Sequence, residues 1–207
     1  MNILKTILPV SLYKKYDSIN SAKVLRNWKK DGRYIPIPHI AKQEVIQYYQ
    51  QNYGCNVLVE TGTYLGEMVE AQLPFFKKIY SVELGVDLWK KAVAKFKKYN
   101  HVELLQGDSA KVLSKITEHL NEPTLFWLDG HYSSGITARG DTDCPIFGEI
   151  DAIFSFKKLN HVILIDDARL FNGEGDYPTT EKLTEYVLTK NPNYKLSVKD
   201  DIIRFTI

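Results

Sequence analysis

Acidic side chains follow apolar runs at five points along the chain, and each run has the length of a β-strand. The acids are Glu60, Glu83, Asp108, Asp129 and the adjacent pair Asp166 and Asp167. Ligands of open parallel sheets bind outside the carboxyl ends of the strands. Acids in register at five strand ends are difficult to ascribe to solubility alone. The pattern therefore predicts a site for a polar ligand at that edge of the sheet.

A glycine-containing turn follows the first of these runs. Residues 57–66 read Val-Leu-Val-Glu-Thr-Gly-Thr-Tyr-Leu-Gly. Gly62 can adopt backbone angles that are closed to other residues, and its missing side chain lets a ligand approach the main chain. Gly66 would let the following helix pack closely on the sheet. The first strand, tight turn and first helix of an α/β nucleotide-binding fold come in this order.

Two of the acids have positions that suit parts of a nucleoside. Glu83 ends the second apolar run, about twenty residues beyond the glycine turn, where an acid commonly accepts hydrogen bonds from both ribose hydroxyls. Asp108 follows the third run. It would either cap the next helix or approach an adenine amino group, and the sequence leaves both roles open.

Alternating apolar and amphipathic stretches indicate how these residues are positioned. The apolar runs end at residues 60, 83, 105, 128 and 165, and helical stretches separate them, which predicts a parallel sheet with helices on both faces. Helical segments at 11–30 and 39–53 precede the sheet, and a helix at 180–189 follows it. Two final strands, 194–198 and 202–207, predict a hairpin that adds an antiparallel strand at the sheet edge.

The arrangement resembles the class I S-adenosylmethionine-dependent methyltransferases over residues 40–207. The first motif of that family is an acid, one residue and a glycine-rich turn, here Glu60-Thr61-Gly62-Thr63-Tyr64-Leu65-Gly66. The commonest form has glycine where this chain has Tyr64. Catechol-type O-methyltransferases share the tyrosine, because their motif also reads acid-x-Gly-x-Tyr-x-Gly.

The resemblance implies a cofactor site and a metal site. The residues that it places against S-adenosyl-L-methionine are Glu60, Gly62, Thr63, Tyr64, Gly66, Glu83, Asp108 and Asp129. Catechol-type enzymes hold Mg²⁺ or another divalent cation with acids that match Asp129, Asp166 and Asp167. Their lysine base has no counterpart here, since Ser133 and Ser134 occupy that stretch.

The fold that follows is an α/β, Rossmann-like three-layer sandwich. We expect a mostly parallel seven-stranded sheet with an antiparallel C-terminal hairpin strand, preceded by N-terminal helices. We further expect residues 1–207 to form a single methyltransferase domain, with 1–53 as a helical cover and 54–207 as the cofactor-binding core.

A long polar loop follows the fourth apolar run. It extends from Asp129 to Pro145 and carries His131 beside the predicted site. Long loops in compact domains are often functional. The near-neutral intrinsic pKa of histidine would let His131 take a proton from an acceptor hydroxyl, so His131 and Asp129 are the candidate catalytic residues. A structural loop histidine is the alternative. Glu149, which follows the loop, is expected to be structural, because the dipole of a helix favours a carboxylate in its first turns.

Composition and charge restrict the partners. A formal charge of +2 over 207 residues argues against a nucleic-acid footprint. Residues 1–34 nevertheless contain eight Lys or Arg and only two acids, Asp17 and Asp31. This excess indicates either a solvated helical face or contact with an anionic partner. Such a partner could be a nucleotide-linked sugar, a phosphorylated lipid carrier or a membrane surface. No apolar stretch is long enough to span a bilayer. We expect a cytoplasmic protein with Cys55 and Cys144 reduced and partly buried, and the sequence leaves a homodimer open.

Three classes of function fit these observations. The leading interpretation is a small-molecule O-methyltransferase (EC 2.1.1.-) that acts on a hydroxylated metabolite or sugar, assisted by a divalent metal such as magnesium. The second is a nicotinamide- or nucleotide-sugar-binding enzyme of the Rossmann type. Against it, Tyr132 has no lysine four residues further on. The third is a non-catalytic binding protein with the methyltransferase fold.

Overall fold

A computed structural model describes residues 10–130, 144–157 and 159–207, with side chains covered from residue 18 onward. The chain divides into two compact units, one that ends at Val45 and one that extends from Ile46 to Ile207. Among the described residues, no helix combines the length and the apolar character that crossing a membrane requires.

Two helices come first among the described residues. Helix α1 spans Val10–Lys30 and helix α2 spans His39–Tyr53, so that α2 extends across the boundary between the units. Trp28 anchors the turn that follows α1. Its ring is 2% exposed, its Nε1–H donates to the carbonyl oxygen of Tyr34 at 2.8 Å, and the Arg33 guanidinium lies 4.7 Å from the ring centroid. These contacts fold the turn back onto the last residues of α1.

The second unit alternates strands and helices around one sheet. Its elements are β1 (Val57–Thr61), α3 (Glu67–Gln72), β2 (Lys78–Glu83), α4 (Val86–Phe96), β3 (Val102–Gln106), α5 (Ser109–Thr117), β4 (Leu125–Leu128), α6 (Ile146–Phe154), β5 (Val162–Ile165), α7 (Thr180–Lys190), β6 (Lys195–Lys199) and β7 (Ile202–Thr206). The described strands form a seven-stranded sheet of order β3-β2-β1-β4-β5-β7-β6. Strands β1 to β5 pair in parallel, and β7 pairs antiparallel with both β5 and β6.

Burial follows position in the sheet. Every residue of β1, β4 and β5 is buried, because helices cover both faces of a central parallel strand, and these strands are accordingly rich in Val, Leu and Ile. Every residue of β6 is exposed. The alternation in β6 of Lys and Ser with Leu and Val suits a sheet edge, where lysines discourage pairing with another chain.

The C-terminal hairpin is closed by a two-residue turn. Lys199 pairs with Ile202, and the intervening Asp200 and Asp201 have φ angles of 51° and 56°. A turn with positive φ at both central residues matches the right-handed twist of the flanking strands, and Asp is one of the few residues that tolerates it. The predicted fold class, including the antiparallel hairpin at the sheet edge, is therefore confirmed.

Both cysteines are free and buried. Burial raises the pKa of the Cys55 thiol to about 11 and that of the Cys144 thiol to about 12. The expected burial of both thiols is confirmed.

Candidate functional site

The site lies where the strand order reverses. Strand β1 lies between β2 and β4. The chain therefore builds the sheet outward from β1 on one side with β2 and β3, and on the other side with β4 and β5. Open α/β sheets bind ligands in the crevice at this switch point. The acids predicted from the sequence, Glu60, Glu83, Asp108, Asp129 and Asp166, lie at or just beyond the strand ends on this side.

Gly62 lets the ends of β1 and β4 approach each other. Its φ is 86°, and a Cβ atom at this position would be 2.3 Å from the carbonyl oxygen of Asp129. The Gly62 N–H donates to the carbonyl oxygen of Val82 at 2.9 Å. Both the left-handed conformation and the close approach exclude any larger residue. Glycine is therefore required where the chain leaves β1, because the main chain at Asp129 occupies the space that a Cβ would need.

Gly66 packs against helix α4, whereas the sequence predicted a role in packing the helix that directly follows it. Its φ is 68°, and an added Cβ would be 2.6 Å from the ring of Phe96 at the end of α4. The ammonium group of Lys95 donates to the carbonyl oxygens of Leu65 and Gly66 at 3.0 and 3.1 Å and pairs with Glu70 at 2.9 Å. Phe96 and Lys95 of helix α4 thus fix the position of the glycine turn.

The carboxylate of Glu83 is held by two loops. The backbone N–H of Tyr64 donates to Oε2 and that of Gly85 donates to Oε1, each at 2.8 Å. Tyr64 itself has a left-handed φ of 48°, which is uncommon outside glycine and costs energy. Because a carboxylate has about four lone-pair sites, both oxygens of Glu83 keep acceptor capacity. The side chain is 5% exposed, so that it is oriented before any ligand arrives.

Glu60 is buried behind the same turn. It is 2% exposed, and its Oε2 accepts a hydrogen bond from the Ser81 hydroxyl at 2.5 Å. Ser81 in turn lies 2.6 Å from the hydroxyl of Thr63, so these three residues form a buried polar chain between β1 and β2. Burial raises the pKa of Glu60 to about 8, and the nearby Glu83 adds to the rise, while the hydrogen bond from Ser81 opposes it.

Asp108 caps helix α5. Its Oδ1 accepts from the Ala110 N–H at 3.0 Å, and its Oδ2 lies 3.2 Å from the Lys111 ammonium. The capping role left open by the sequence is confirmed, and contact with adenine stays a prediction.

Asp129 and Gly130 continue from β4 toward the long loop. The Asp129 N–H lies 3.2 Å from both the carbonyl oxygen and the hydroxyl of Thr61. A Cβ on Gly130 would be 3.0 Å from the Thr61 hydroxyl and 3.0 Å from Glu149 Oε1. Glu149 does lie in the first turn of α6, as expected, but it is 2% exposed and reaches the end of β4.

Glu149 therefore lies beside the end of β4, a position that sequence reasoning did not identify. A charged side chain in an otherwise apolar helix segment, Ile-Phe-Gly-Glu-Ile, was the available signal, because acids are rarely fully buried without a polar neighbour. His131, with Ser133 and Ser134, lies outside the described residues.

An arginine pairs with Asp167, the second of the two acids after β5. Asp166 is 1% exposed, and its Oδ1 accepts from the Asp167 N–H at 2.9 Å. Asp167 has a left-handed φ of 54° and pairs through Oδ1 with Arg169 at 2.7 Å. The same guanidinium nitrogen of Arg169 contacts Asp201 Oδ2, and the backbone N–H of Arg169 donates to Asp201 Oδ1 at 2.8 Å. Arg169 and Asp201 thus join the end of β5 to the C-terminal hairpin, a contact that the sequence does not reveal.

The predicted metal ligands do not assemble into a metal-binding group. Within residues 10–130, 144–157 and 159–207, no three His, Cys, Asp or Glu side chains are arranged to hold an ion. The carboxylate of Asp167 faces a guanidinium, which supplies the positive charge that a metal would otherwise bring. A divalent cation at Asp129, Asp166 and Asp167 therefore stays a prediction from the resemblance.

No protein-family model and no curated protein sequence matches the chain. Solved structures do match it. An O-methyltransferase from Bacillus cereus in complex with S-adenosylhomocysteine (SAH) is 13% identical, with a TM-score of 0.60 over 99% of this chain and 96% of the other. An SAH-bound methyltransferase from Podospora anserina is 14% identical, with a TM-score of 0.56 over 97% of each chain.

A third structure agrees with these two. The O-methyltransferase TomG from Streptomyces achromogenes, in complex with S-adenosylmethionine, is 11% identical, with a TM-score of 0.56 over 99% of this chain and 94% of the other. Likeness at this level of identity concerns the fold. Strand order, glycine turn and structural similarity agree, and the chain has the fold of the class I S-adenosylmethionine-dependent methyltransferases, close to that of the O-methyltransferases.

Proposed function

We propose that this protein is an S-adenosylmethionine-dependent methyltransferase that methylates a hydroxyl oxygen of a small metabolite or sugar. The observation that carries the proposal is the Glu83 carboxylate, which two backbone N–H groups hold beside the Gly62 turn at the switch point of the sheet. The similar structures support it, because they are O-methyltransferases with S-adenosylmethionine or SAH bound.

The residues present fit the cofactor. The glycine turn lies directly against the end of β4, because only a residue without a Cβ fits beside the Asp129 carbonyl. The spare lone pairs of Glu83 beside this turn suit two vicinal hydroxyls. We assign the ribose to Glu83, the amino-acid portion to Gly62 and its turn (Thr63, Tyr64 and Gly66, with Glu60 behind them), and the adenine side to Asp108. When bound, S-adenosylmethionine supplies an activated methyl group on a sulfonium.

The protein must then align an acceptor with that methyl group and help to remove the proton of the hydroxyl. Alignment alone supplies on the order of 7–11 kcal/mol of barrier reduction in favourable intramolecular cases. Asp129, at the end of β4, and His131 beyond it are our candidates for the residues that orient the hydroxyl and accept its proton. Replacing His131 by Ala is expected to lower kcat far more than it changes the affinity for SAH.

Metal assistance stays a prediction from the resemblance. The arrangement of Asp129, Asp166 and Asp167 gives it no support, so no step is assigned to a metal here. Assays before and after exhaustive EDTA treatment, with Mg²⁺ added back, test the prediction directly. Loss of activity that Mg²⁺ restores would establish the metal. The expectation that residues 1–53 cover the cofactor-binding core likewise stays a prediction.

Calorimetry with SAH tests the proposal. Glu83→Ala removes a charged acceptor, and a hydrogen bond to a charged group contributes about 1.5–3 kcal/mol, so SAH affinity should fall by about 10- to 150-fold. Glu103→Ala is the matched control, because Glu103 lies on the adjacent strand β3, its side chain is 51% exposed, and its ion-pair partner among the described residues is Lys78.

Two outcomes separate the cofactor classes, and a third tests the ribose assignment. SAH binding that depends on Glu83 and not on Glu103 supports the methyltransferase. Tight binding of NAD or a nucleotide sugar, with none of SAH, would favour the nicotinamide- or nucleotide-sugar-binding alternative. Unchanged SAH affinity in Glu83→Ala would show that the ribose assignment is wrong.

A further inference from the structure

Two buried carboxyl groups share the glycine turn. Glu60 lies in β1, two residues before Gly62, and is 2% exposed, while Glu83 ends β2 and is 5% exposed. The backbone N–H groups of Tyr64 and Gly85 donate to Glu83, whereas no backbone N–H donates to Glu60 among the described residues. Because such donors favour the ionised form of a carboxyl group, they place the negative charge on Glu83 and give Glu60 no comparable support.

The Glu60 carboxyl group is bonded instead to a chain of hydroxyls. Its Oε2 accepts from Ser81 at 2.5 Å, and the Ser81 hydroxyl lies 2.6 Å from that of Thr63. Within the part of the chain that the structure describes, Oε1 of Glu60 accepts no hydrogen bond. Burial raises the pKa of Glu60 to about 8, so this carboxyl group holds a proton at neutral pH, and Oε1 is the oxygen left to carry it.

Two charged side chains act on Glu60 from the elements packed around it. Glu83 on β2 raises the pKa of Glu60, and Lys95 on α4 lowers it. Lys95 is already paired with Glu70 of α3 at 2.9 Å, which compensates part of its charge. On β4, the register partner of Glu60 is Trp127, which has no titratable group. Burial and Glu83 therefore keep Glu60 protonated, and a cation that entered beside the turn would oppose both.

The proposed cofactor differs from its product by one positive charge. The sulfonium, ammonium and carboxylate groups of S-adenosylmethionine leave one net positive charge, whereas SAH has a neutral thioether and no net charge. A positive charge at about 4–6 Å from an acid favours its ionised form. The low dielectric around a buried group strengthens that interaction.

We propose that binding of S-adenosylmethionine expels the proton of Glu60 to solvent, so that Glu60 distinguishes the charged cofactor from its uncharged product. The inference rests on the proposed function and deepens it. In the free protein Glu60 is a neutral acid bonded to Ser81, and in the complex it is a carboxylate beside a positive charge. Methyl transfer removes that charge, Glu60 regains a proton from solvent, and the site loses attraction for SAH.

Calorimetry in buffers of different ionisation enthalpy counts the protons that binding releases. At neutral pH the wild type should release about 0.5–1 proton more with S-adenosylmethionine than with SAH. Glu60→Gln, which keeps an oxygen for the Ser81 hydroxyl, should release the same number with both ligands. The amino group that both ligands share titrates at about pH 8 and cancels in the comparison.

The pH dependence of affinity gives a second measurement. Because a proton leaves, the affinity of the wild type for S-adenosylmethionine relative to SAH should rise by up to about tenfold per pH unit below the pKa of Glu60 and level off above it. In Glu60→Gln this ratio should not change with pH. Ser81→Ala removes a hydrogen bond that lowers the pKa of Glu60, so the rise should continue to higher pH. Glu103→Gln, on an exposed position of β3, is the control and should match the wild type.

The outcomes separate this inference from the proposed function. Equal proton release with both ligands in the wild type, or a Glu60→Gln variant that keeps the wild-type pH profile, would overturn the inference and leave the methyltransferase proposal intact. A loss of affinity in Glu60→Gln that is equal for both ligands and independent of pH would assign Glu60 a purely structural role. Failure of the wild type to bind either ligand would refute the proposed function and this inference together.

Discussion

The buried carboxyl group of Glu60 makes a specific prediction about the pH dependence of stability. In the folded protein its pKa is raised from 4.5 to about 8, chiefly by burial between β1 and β2. At neutral pH the folded protein therefore holds a proton on Glu60 that the unfolded chain has released. By linkage, the free energy of unfolding falls as pH rises between these two pKa values.

The size of the effect follows from the same two pKa values. Each pH unit between them costs about 1.4 kcal/mol, and Glu60 should cost the folded state about 3–4 kcal/mol more at pH 8.5 than at pH 5. Glu60→Gln removes the ionisable group, keeps the shape of the side chain and keeps an oxygen for the Ser81 hydroxyl. The variant should be less sensitive to pH by this amount.

Urea denaturation at pH 5, 6, 7, 8 and 8.5 (roughly the window set by linkage) measures the difference. The free energy of unfolding of Glu60→Gln minus that of the wild type should increase steadily across this range. Glu103→Gln, on an exposed position of β3, should show a flat difference. If the difference for Glu60→Gln is also flat, or decreases with pH, then Glu60 is ionised in the folded protein and our account of its burial is wrong.

Three further predictions concern packing and polar contacts around the sheet. Gly62→Ala should lower the free energy of unfolding by about 2–4 kcal/mol and abolish measurable SAH binding, because a Cβ would be 2.3 Å from a carbonyl oxygen. Gly54→Ala is the control, since Gly54 has a φ of 64° but no atom within 4 Å of an added Cβ. It should lower the free energy of unfolding only by the roughly 1–2 kcal/mol that a left-handed conformation costs. Lys95→Met should weaken SAH binding several-fold by releasing the glycine turn, and calorimetry that shows no change would contradict this role. Burial lowers the pKa of His161 to about 4, and protonation of a buried imidazole favours unfolding. As pH falls from 6.5 to 4 in urea titrations, the free energy of unfolding of the wild type should therefore fall by up to about 3 kcal/mol relative to that of His161→Gln. Parallel pH profiles of the two proteins would refute this prediction.

Local patterns in the sequence were sufficient for the order and type of the elements. The predicted helix at 39–53 and the hairpin around Asp200 and Asp201 agree with the structure. The reason is that apolar periodicity, turn residues and helix caps act over a few positions and can be recognised without the fold. The position of Glu83 beyond the glycine turn is of this kind, because it depends on the length of one strand-helix-strand unit.

Tertiary structure alone decided which partners the acids have. The resemblance placed a metal at Asp129, Asp166 and Asp167, and the sequence could not show that Arg169 lies between Asp167 and Asp201, which are 34 residues apart. It assigned Glu149 to a helix start without revealing that the helix points this side chain at the end of β4. Charge compensation and burial depend on distances between residues that are remote in sequence, and packing of the sheet and helices sets those distances.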